Sequence, residues 1–223
     1  MKLQIINLSS FQLTLFLWLS VGATGVLHAE RASTDSGRLT DTEIKTMLKD
    51  YIDSDRLGVG TAIGLTDEHG TRVVCHGKMD NGTDGEVDGD TLFGIGSITK
   101  VFTALLLQDM VERGEMKLED AVQKYLPESV KVPTYQGKEI TLLHLATHTS
   151  GLPRDRHQEA YTALPRCTLR QPPGSSREYS NFGMALLGHA IALKAGKDYQ
   201  TLVVERICKP LGMESTRVNP PPS

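Results

Sequence analysis

Ser97-Ile98-Thr99-Lys100 opens a stretch, residues 97–113, in which apolar side chains recur at helical spacing and no proline intervenes. Ile98, Val101, Phe102, Leu105 and Leu106 fall on one stripe, with Ala104 and Leu107 partly outside it. A helix that is apolar nearly all round is expected to be buried on most sides. Gly114 is placed to cap its C-terminus. Serine and lysine three apart at the first turn share a face of that helix. A hydroxyl there feels the positive end of the backbone dipole, and a neighbouring amine can take its proton, which turns a weak nucleophile into a strong one. With 14 Ser and 12 Lys in the chain, roughly one such pair arises by chance. The pair therefore gains its meaning from its surroundings.

The 223 residues are enough for one large domain or two small ones with a real core. The composition, 39% hydrophobic and 23% charged, is that of a globular protein without low-complexity tracts. A net charge of −3 supplies no basic face for counterion release, so nucleic acid is not expected as a partner. The first 29 residues differ in kind. Lys2 is their only formal charge, and Leu13-Thr14-Leu15-Phe16-Leu17-Trp18-Leu19 is followed by small residues with candidate cleavage sites after Ala23 and Ala29. This reads as a secretory signal peptide over residues 1–29, with a retained N-terminal anchor as the alternative. A secreted or periplasmic location, with no stable membrane span after cleavage, is the expectation. Cys75, Cys167 and Cys208 match no zinc or redox spacing. One disulfide, Cys167–Cys208, and buried free thiols both remain open.

Residues 30–40 are polar and expected to be disordered. Residues 40–53 read as an amphipathic helix with Ile44, Met47, Leu48, Tyr51 and Ile52 on one face, started by a Thr40/Glu43 capping box. Two β-branched runs, 59–65 and 71–76, flank Thr66-Asp67-Glu68-His69-Gly70 and predict a hairpin. The Asp/Gly-rich residues 80–90 fail the calcium-loop pattern and read as a connector. Residues 141–146 predict a short helix, 148–153 a turn, 154–176 a surface excursion, 181–194 an apolar helix stopped at Gly196, and 201–207 a further helix. A two-stranded hairpin needs a cover or partner strands, and no further strand run follows it.

Tyr179-Ser180-Asn181 is the second candidate for chemistry. A tyrosine beside a helix start can relay protons when an ammonium lowers its pKa, and a neighbouring Asn can orient a carbonyl or amide. The alternative is a plain helix start with Ser180 or Asn181 as N-cap. His144 and His148 are four apart, but Leu145 stands where a metal-site glutamate would, and no third ligand is spaced for it. No metal or other cofactor is expected. Ser150 lacks the glycine two residues before it that a nucleophile elbow requires.

Four segments taken together resemble one family. They are Phe93-Gly94-Ile95-Gly96-Ser97-Ile98-Thr99-Lys100, then Ile140 through Pro153 with its His148-Thr149-Ser150-Gly151 turn, then Pro173-Gly174 through Tyr179-Ser180-Asn181, then Lys209-Pro210-Leu211-Gly212-Met213. In this order they resemble serine hydrolases of the class C β-lactamase type, a group that includes penicillin-binding DD-peptidases and related esterases. The resemblance covers roughly residues 40–217 and implies an α/β (α+β) fold, β-lactamase/transpeptidase-like, with an antiparallel sheet and a helical subdomain. It implies Ser97 as the acylated nucleophile, Lys100 as the group that helps take its proton, and Tyr179 as proton relay. Asn181 would bind the substrate amide, and the Ser97 N–H would form half of an oxyanion hole. Residues 147–153 are a structural turn by the same reading. Small-molecule or peptide substrates are implied: a β-lactam, a D-alanyl peptide or a small ester. The family's Lys/His-Thr/Ser-Gly strand has no counterpart here, since Lys194, Lys197 and Lys209 stand in no such motif. Residues 30–223 are therefore expected to be a partial domain with its C-terminal strands missing. The rival expectation is a truncated, non-catalytic relative that binds a ligand or partner without turnover.

Overall fold

Thr40 begins the first helix as the residues around it dictate. Its hydroxyl accepts the Glu43 N–H while the Glu43 carboxylate accepts the Thr40 N–H at 2.7 Å, which is the expected capping box. The computed structural model describes residues 39–56, 58–80, 82, 84–155 and 160–218; the signal peptide read over residues 1–29 lies outside them. The chain divides into two compact units, one ending at Leu92 and the other beginning at Phe93.

In the first unit, helix α1 (Asp41–Lys49) runs on into one π-helical turn, Asp50–Ser54. Ile44, Leu48 and Ile52 are buried, whereas Met47 is exposed, so the covered stripe is narrower than its periodicity suggests. Strands β1 (Gly60–Asp67) and β2 (Gly70–Gly77) pair antiparallel with Asp67 opposite Gly70. The connecting loop is thus only Glu68-His69, because Thr66 and Asp67 join the ladder. Val74 packs with Ile44 and Leu48 in a small core. Arg72 binds the Asp41 carboxylate and the Leu39 carbonyl, and His76 Nε2 lies 2.9 Å from Asp53 Oδ2. Leu39 and Thr40, read from sequence as disordered, are therefore held by side chains of the sheet and helix.

The second unit is helical. A 3₁₀ turn, Gly96–Ile98, leads into α2 (Thr99–Glu112), so the stretch read as one helix over 97–113 starts more tightly wound. Phe102, Thr103, Leu106, Leu107 and Met110 are buried, while Ile98, Val101 and Leu105 are exposed. The expectation of burial on most sides is corrected here: with apolar residues nearly all round, the pattern carried no sign of which face is covered. Helices α3 (Leu142–Ala146) and α4 (Ala160–Ala163) precede α5 (Asn181–Ala195) and α6 (Tyr199–Val203). Helix α5 packs against α2, α3 and α6 and buries Leu186, Leu187, Ala190 and Ile191. Ser180 caps its start, and Gly196 ends it in the left-handed conformation that a side chain would resist. The Thr103 and Tyr199 hydroxyls lie 2.7 Å apart, satisfying a polar pair between α2 and α6.

Residues 154–176 are not merely a surface excursion. Leu164 in the 3₁₀ turn Leu164–Arg166, with Cys167 and Leu169, reaches the main core. Their spacing follows neither a helical nor a strand period. Among the described residues no disulfide joins Cys75, Cys167 or Cys208, so the Cys167–Cys208 bridge is not formed. Among the described residues β1 and β2 form the only sheet, and helices follow it, in keeping with an α/β class. No described helix is long and apolar enough to cross a membrane.

The observed face of α2 makes a sharp prediction. Leu106 is 0% exposed and Leu105 47%. Leu106→Ala is expected to cost about 3 kcal/mol and Leu105→Ala under about 1 kcal/mol, read from urea midpoints. Equal losses would refute the assigned face.

Candidate active site

Gly96 sets the backbone that leads into Ser97. Its φ of +50° is left-handed, a conformation glycine enters freely, and it turns the chain into the 3₁₀ segment that carries Ser97. Ile95 is buried and its carbonyl accepts the Ile98 N–H at 3.1 Å, so the turn is anchored to the core. Leading N–H groups of such a turn have no intrahelical acceptor, which leaves the Ser97 N–H suited to a developing oxyanion. Lys100, one turn on, reaches back along the same face.

Tyr179 arrives from the other direction, on the extended residues before α5. Ser180 Oγ accepts the Gly183 N–H at 2.8 Å and donates to the Pro153 carbonyl at 2.7 Å. The Asn181 N–H donates to the Arg154 carbonyl at 2.8 Å. The turn at residues 148–155 thus grips the chain on which Tyr179 stands.

These two supports bring three predicted residues together. Ser97 Oγ lies 2.7 Å from Tyr179 Oη, and Lys100 Nζ donates to Ser97 Oγ at 3.0 Å. Lys100 Nζ is also 4.9 Å from the centre of the Tyr179 ring, and the Arg154 guanidinium 5.1 Å from it. Burial pushes the Tyr179 phenol up. The Lys100 ammonium, the Ser97 hydroxyl and the Arg154 charge outweigh it and leave the phenol below its ordinary value. With Lys100 donating to Ser97 Oγ, the serine hydroxyl is free to donate its proton to Tyr179 Oη once the phenol is ionised. The arrangement can deprotonate Ser97 without an outside base.

Asn181 is placed differently. It is the first residue of α5, and its amide nitrogen donates to Asp155 Oδ1 at 2.8 Å. That bond leaves the Asn181 carbonyl oxygen as the end able to accept an N–H. Asp155 escaped the sequence reading, since nothing in its neighbours marks it as the partner of a residue 26 positions on. His148 did too. It was weighed as a metal ligand and then assigned to a structural turn, yet its ring lies 4.5 Å from that of Tyr179, centre to centre. The one local sign was a non-glycine residue at a tight turn, and φ at His148 is +59°. His144 serves as the capping partner of Thr141 at the start of α3. Among the described residues no three His, Cys, Asp or Glu side chains converge as a metal site would require.

Comparison with known proteins bears on these residues as a set. The beta-lactamase family model matches residues 46–223. The chain is 32% identical over 210 residues to the D-alanyl-D-alanine-carboxypeptidase/endopeptidase AmpH of Escherichia coli, covering 88% of this chain and 54% of that protein. It is 36% identical over 140 residues to a beta-lactamase of Escherichia coli, covering 60% of this chain and 36% of that one. Among solved structures, the beta-lactamase/D-alanine carboxypeptidase from Yersinia pestis superposes with a TM-score of 0.72 at 32% identity, covering 81% of this chain and 56% of that chain. The D-alanine carboxypeptidase AmpC from Burkholderia cenocepacia gives 0.68 at 34% identity, over 81% and 51%. These solved structures share the fold. The chain spans about half the length of the curated relative AmpH, 54%, and less of the beta-lactamase.

Because Lys100 supplies much of the pull on Tyr179, Lys100→Met should raise the pH at which Tyr179 ionises. Carbon-13 labelling of tyrosine Cζ, with Tyr179→Phe to assign the resonance, measures it. An unchanged titration would show that the ammonium does not act on the phenol.

Proposed function

The chain belongs to the beta-lactamase family, and on that premise we propose that it is a serine acyl hydrolase working through a covalent Ser97 ester. One observation carries the reading: Ser97 Oγ sits between Lys100 Nζ at 3.0 Å and Tyr179 Oη at 2.7 Å. Tyr179 takes the serine proton as Ser97 Oγ bonds to the substrate carbonyl carbon, and the Lys100 ammonium balances the charge on the phenolate. The carbonyl oxygen, now an oxyanion, faces the Ser97 N–H. As the tetrahedral adduct collapses, the bond from carbon to the leaving nitrogen or oxygen breaks, and Tyr179 returns its proton to that atom. Water then repeats the sequence on the ester: it gives a proton to Tyr179, bonds to the carbonyl carbon and expels Ser97 Oγ, which recovers the proton. Asn181, its nitrogen held by Asp155, offers its carbonyl oxygen to a substrate N–H.

A carbonyl on a scissile nitrogen, as in a β-lactam or a D-alanyl peptide, or on the oxygen of a small ester, suits this chemistry. The relatives, a D-alanyl-D-alanine-carboxypeptidase/endopeptidase and a beta-lactamase, favour the first two. The apolar stretch near the N-terminus supports export, to the periplasm or the medium, where such substrates are met. Residues 30–223 form the hydrolase portion in this reading. The second reading is a non-catalytic relative that binds a ligand or partner without turnover, which the same experiment separates.

Incubation with benzylpenicillin or a fluorophosphonate should add one adduct mass, located on Ser97 by peptide mapping and absent from Ser97→Ala. No adduct on folded protein would overturn the hydrolase reading, and an adduct that persists in Ser97→Ala would overturn the nucleophile. A penicillin adduct that never decays, together with no D-alanine released from a D-alanyl-D-alanine peptide and no hydrolysis of a small ester, would assign binding without turnover. The acylation rate should rise with pH through the ionisation of Tyr179, with its midpoint below the ordinary tyrosine value of about 10. The sign follows from the base form: lowering the phenol's pKa brings its phenolate, and hence the rate, to lower pH.

A further inference from the structure

Tyr179 is held on both sides by a single residue. The Glu178 N–H donates to the His148 carbonyl at 2.8 Å, and the Ser180 N–H donates to His148 Nδ1 at 3.1 Å. Between these two bonds the His148 ring lies against the Tyr179 ring, centres 4.5 Å apart and planes tilted by 31°. We infer that His148 is a positioning residue for Tyr179, fixing the backbone through its carbonyl and Nδ1 and the phenol through its ring face. The inference rests on reading Ser97, Lys100 and Tyr179 as the acyl-transfer group, and names what keeps that group assembled.

Three features separate this role from plain packing. First, Nδ1 can accept the Ser180 N–H only when it carries no proton, so the ring must be the neutral form with its hydrogen on Nε2. Burial, followed by the charges of Lys100 on α2 and Arg177 on the Tyr179 segment, holds the His148 pKa down and keeps it in that form. Second, His148 is buried in a left-handed backbone, φ +59°. Such conformations are costly for a residue with a side chain and persist where the surroundings over-determine them, often at active sites. Third, the two neighbouring cations, Lys100 Nζ at 4.9 Å and Arg154 Cζ at 5.1 Å from the phenol ring, act on Tyr179 only if that ring stays in place. A rotation of the phenol away from His148 would remove the hydroxyl from Ser97.

Two substitutions divide the holds. His148→Phe keeps a ring face but removes the acceptor for the Ser180 N–H. His148→Asn keeps an acceptor and tolerates the left-handed backbone but removes the ring face. In the full chain, each should move the Tyr179 carbon-13 titration up toward the ordinary tyrosine value. Each should also slow Ser97 acylation by a fluorophosphonate by about tenfold per folded molecule, the scale of one lost hydrogen bond or ring contact. A structural role alone would lower the urea midpoint and leave the Tyr179 titration of the folded protein unmoved. An unmoved titration in whichever variants fold would therefore overturn the inference. If the wild-type chain takes no adduct, the acyl-transfer reading fails, while the Tyr179 titration still decides whether His148 holds the phenol.

Discussion

A 2.7 Å hydrogen bond between Ser97 Oγ and Tyr179 Oη joins residues 82 positions apart, and the second unit is built around keeping it. Neither partner lies inside a regular helix. Ser97 sits in the 3₁₀ turn ahead of α2, and Tyr179 on the extended residues ahead of α5. The bond therefore depends on two helix starts being held at a fixed distance. The packed face of α2, with Leu106, Leu107 and Met110, meets the core around Leu186, Leu187 and Ile191 of α5 and sets that distance. A close-packed interior resists the small displacements that would break a contact of this length. Core burial here acts less as a source of stability than as a ruler for the site.

What the core cannot do is aim a side chain on a segment without a helical hydrogen-bond ladder. That work falls to the turn at residues 148–155, which receives N–H groups from Gly174, Glu178, Ser180 and Asn181 and the Ser180 hydroxyl. Backbone donors outside helices and sheets must find acceptors if they are buried. The turn supplies them with the carbonyls of Thr149, His148 and Arg154 and the imidazole nitrogen of His148. The same requirement that satisfies the backbone also orients the phenol.

How much of this was legible in the sequence follows from how local each feature is. The Ser97–Lys100 pair, the Thr40/Glu43 capping box and the Gly196 stop are written in residues three or four apart, and a helix makes such spacings into contacts. Tyr179 stands out locally as a tyrosine before a helix start, but its pairing with Ser97 was reachable only through the ordered resemblance of four segments, because no spacing rule spans 82 residues. The His148 ring contact and the Asp155–Asn181 bond were not legible at all. Each joins residues 26 or more apart through a turn whose path is set by tertiary packing. The exposed face of α2 was misread for a related reason: Ile98, Val101 and Leu105 are as apolar as Phe102 and Leu106, and the pattern lacks the polar residues that would mark an outside. Leu164, Cys167 and Leu169 reach the core from a stretch that reads as loop because they follow no period.

Charge explains why the residue beneath the phenol should be a histidine that stays neutral. Lys100 and Arg154 both stand within about 5 Å of the Tyr179 ring centre, and Arg177 bears on His148 from the same side of the chain. The charges of Lys100 and Arg154 favour negative charge on the phenol, which is what the proposed base facing Ser97 needs. A protonated His148 would add a fourth cation, competing with Lys100 for that field and giving up the Ser180 N–H, since Nδ1 would then be a donor. Burial disfavours that proton, and the charges of Lys100 and Arg177 disfavour it further. Lys100 lowers the pKa of the phenol and of the imidazole alike, so the charge that prepares the proposed base also preserves the neutral ring beside it. An aromatic hydrocarbon at position 148 could supply the face but no acceptor, and an amide could supply the acceptor but no face. Imidazole supplies both in one side chain, and the left-handed backbone at this turn is the conformational cost of placing it there.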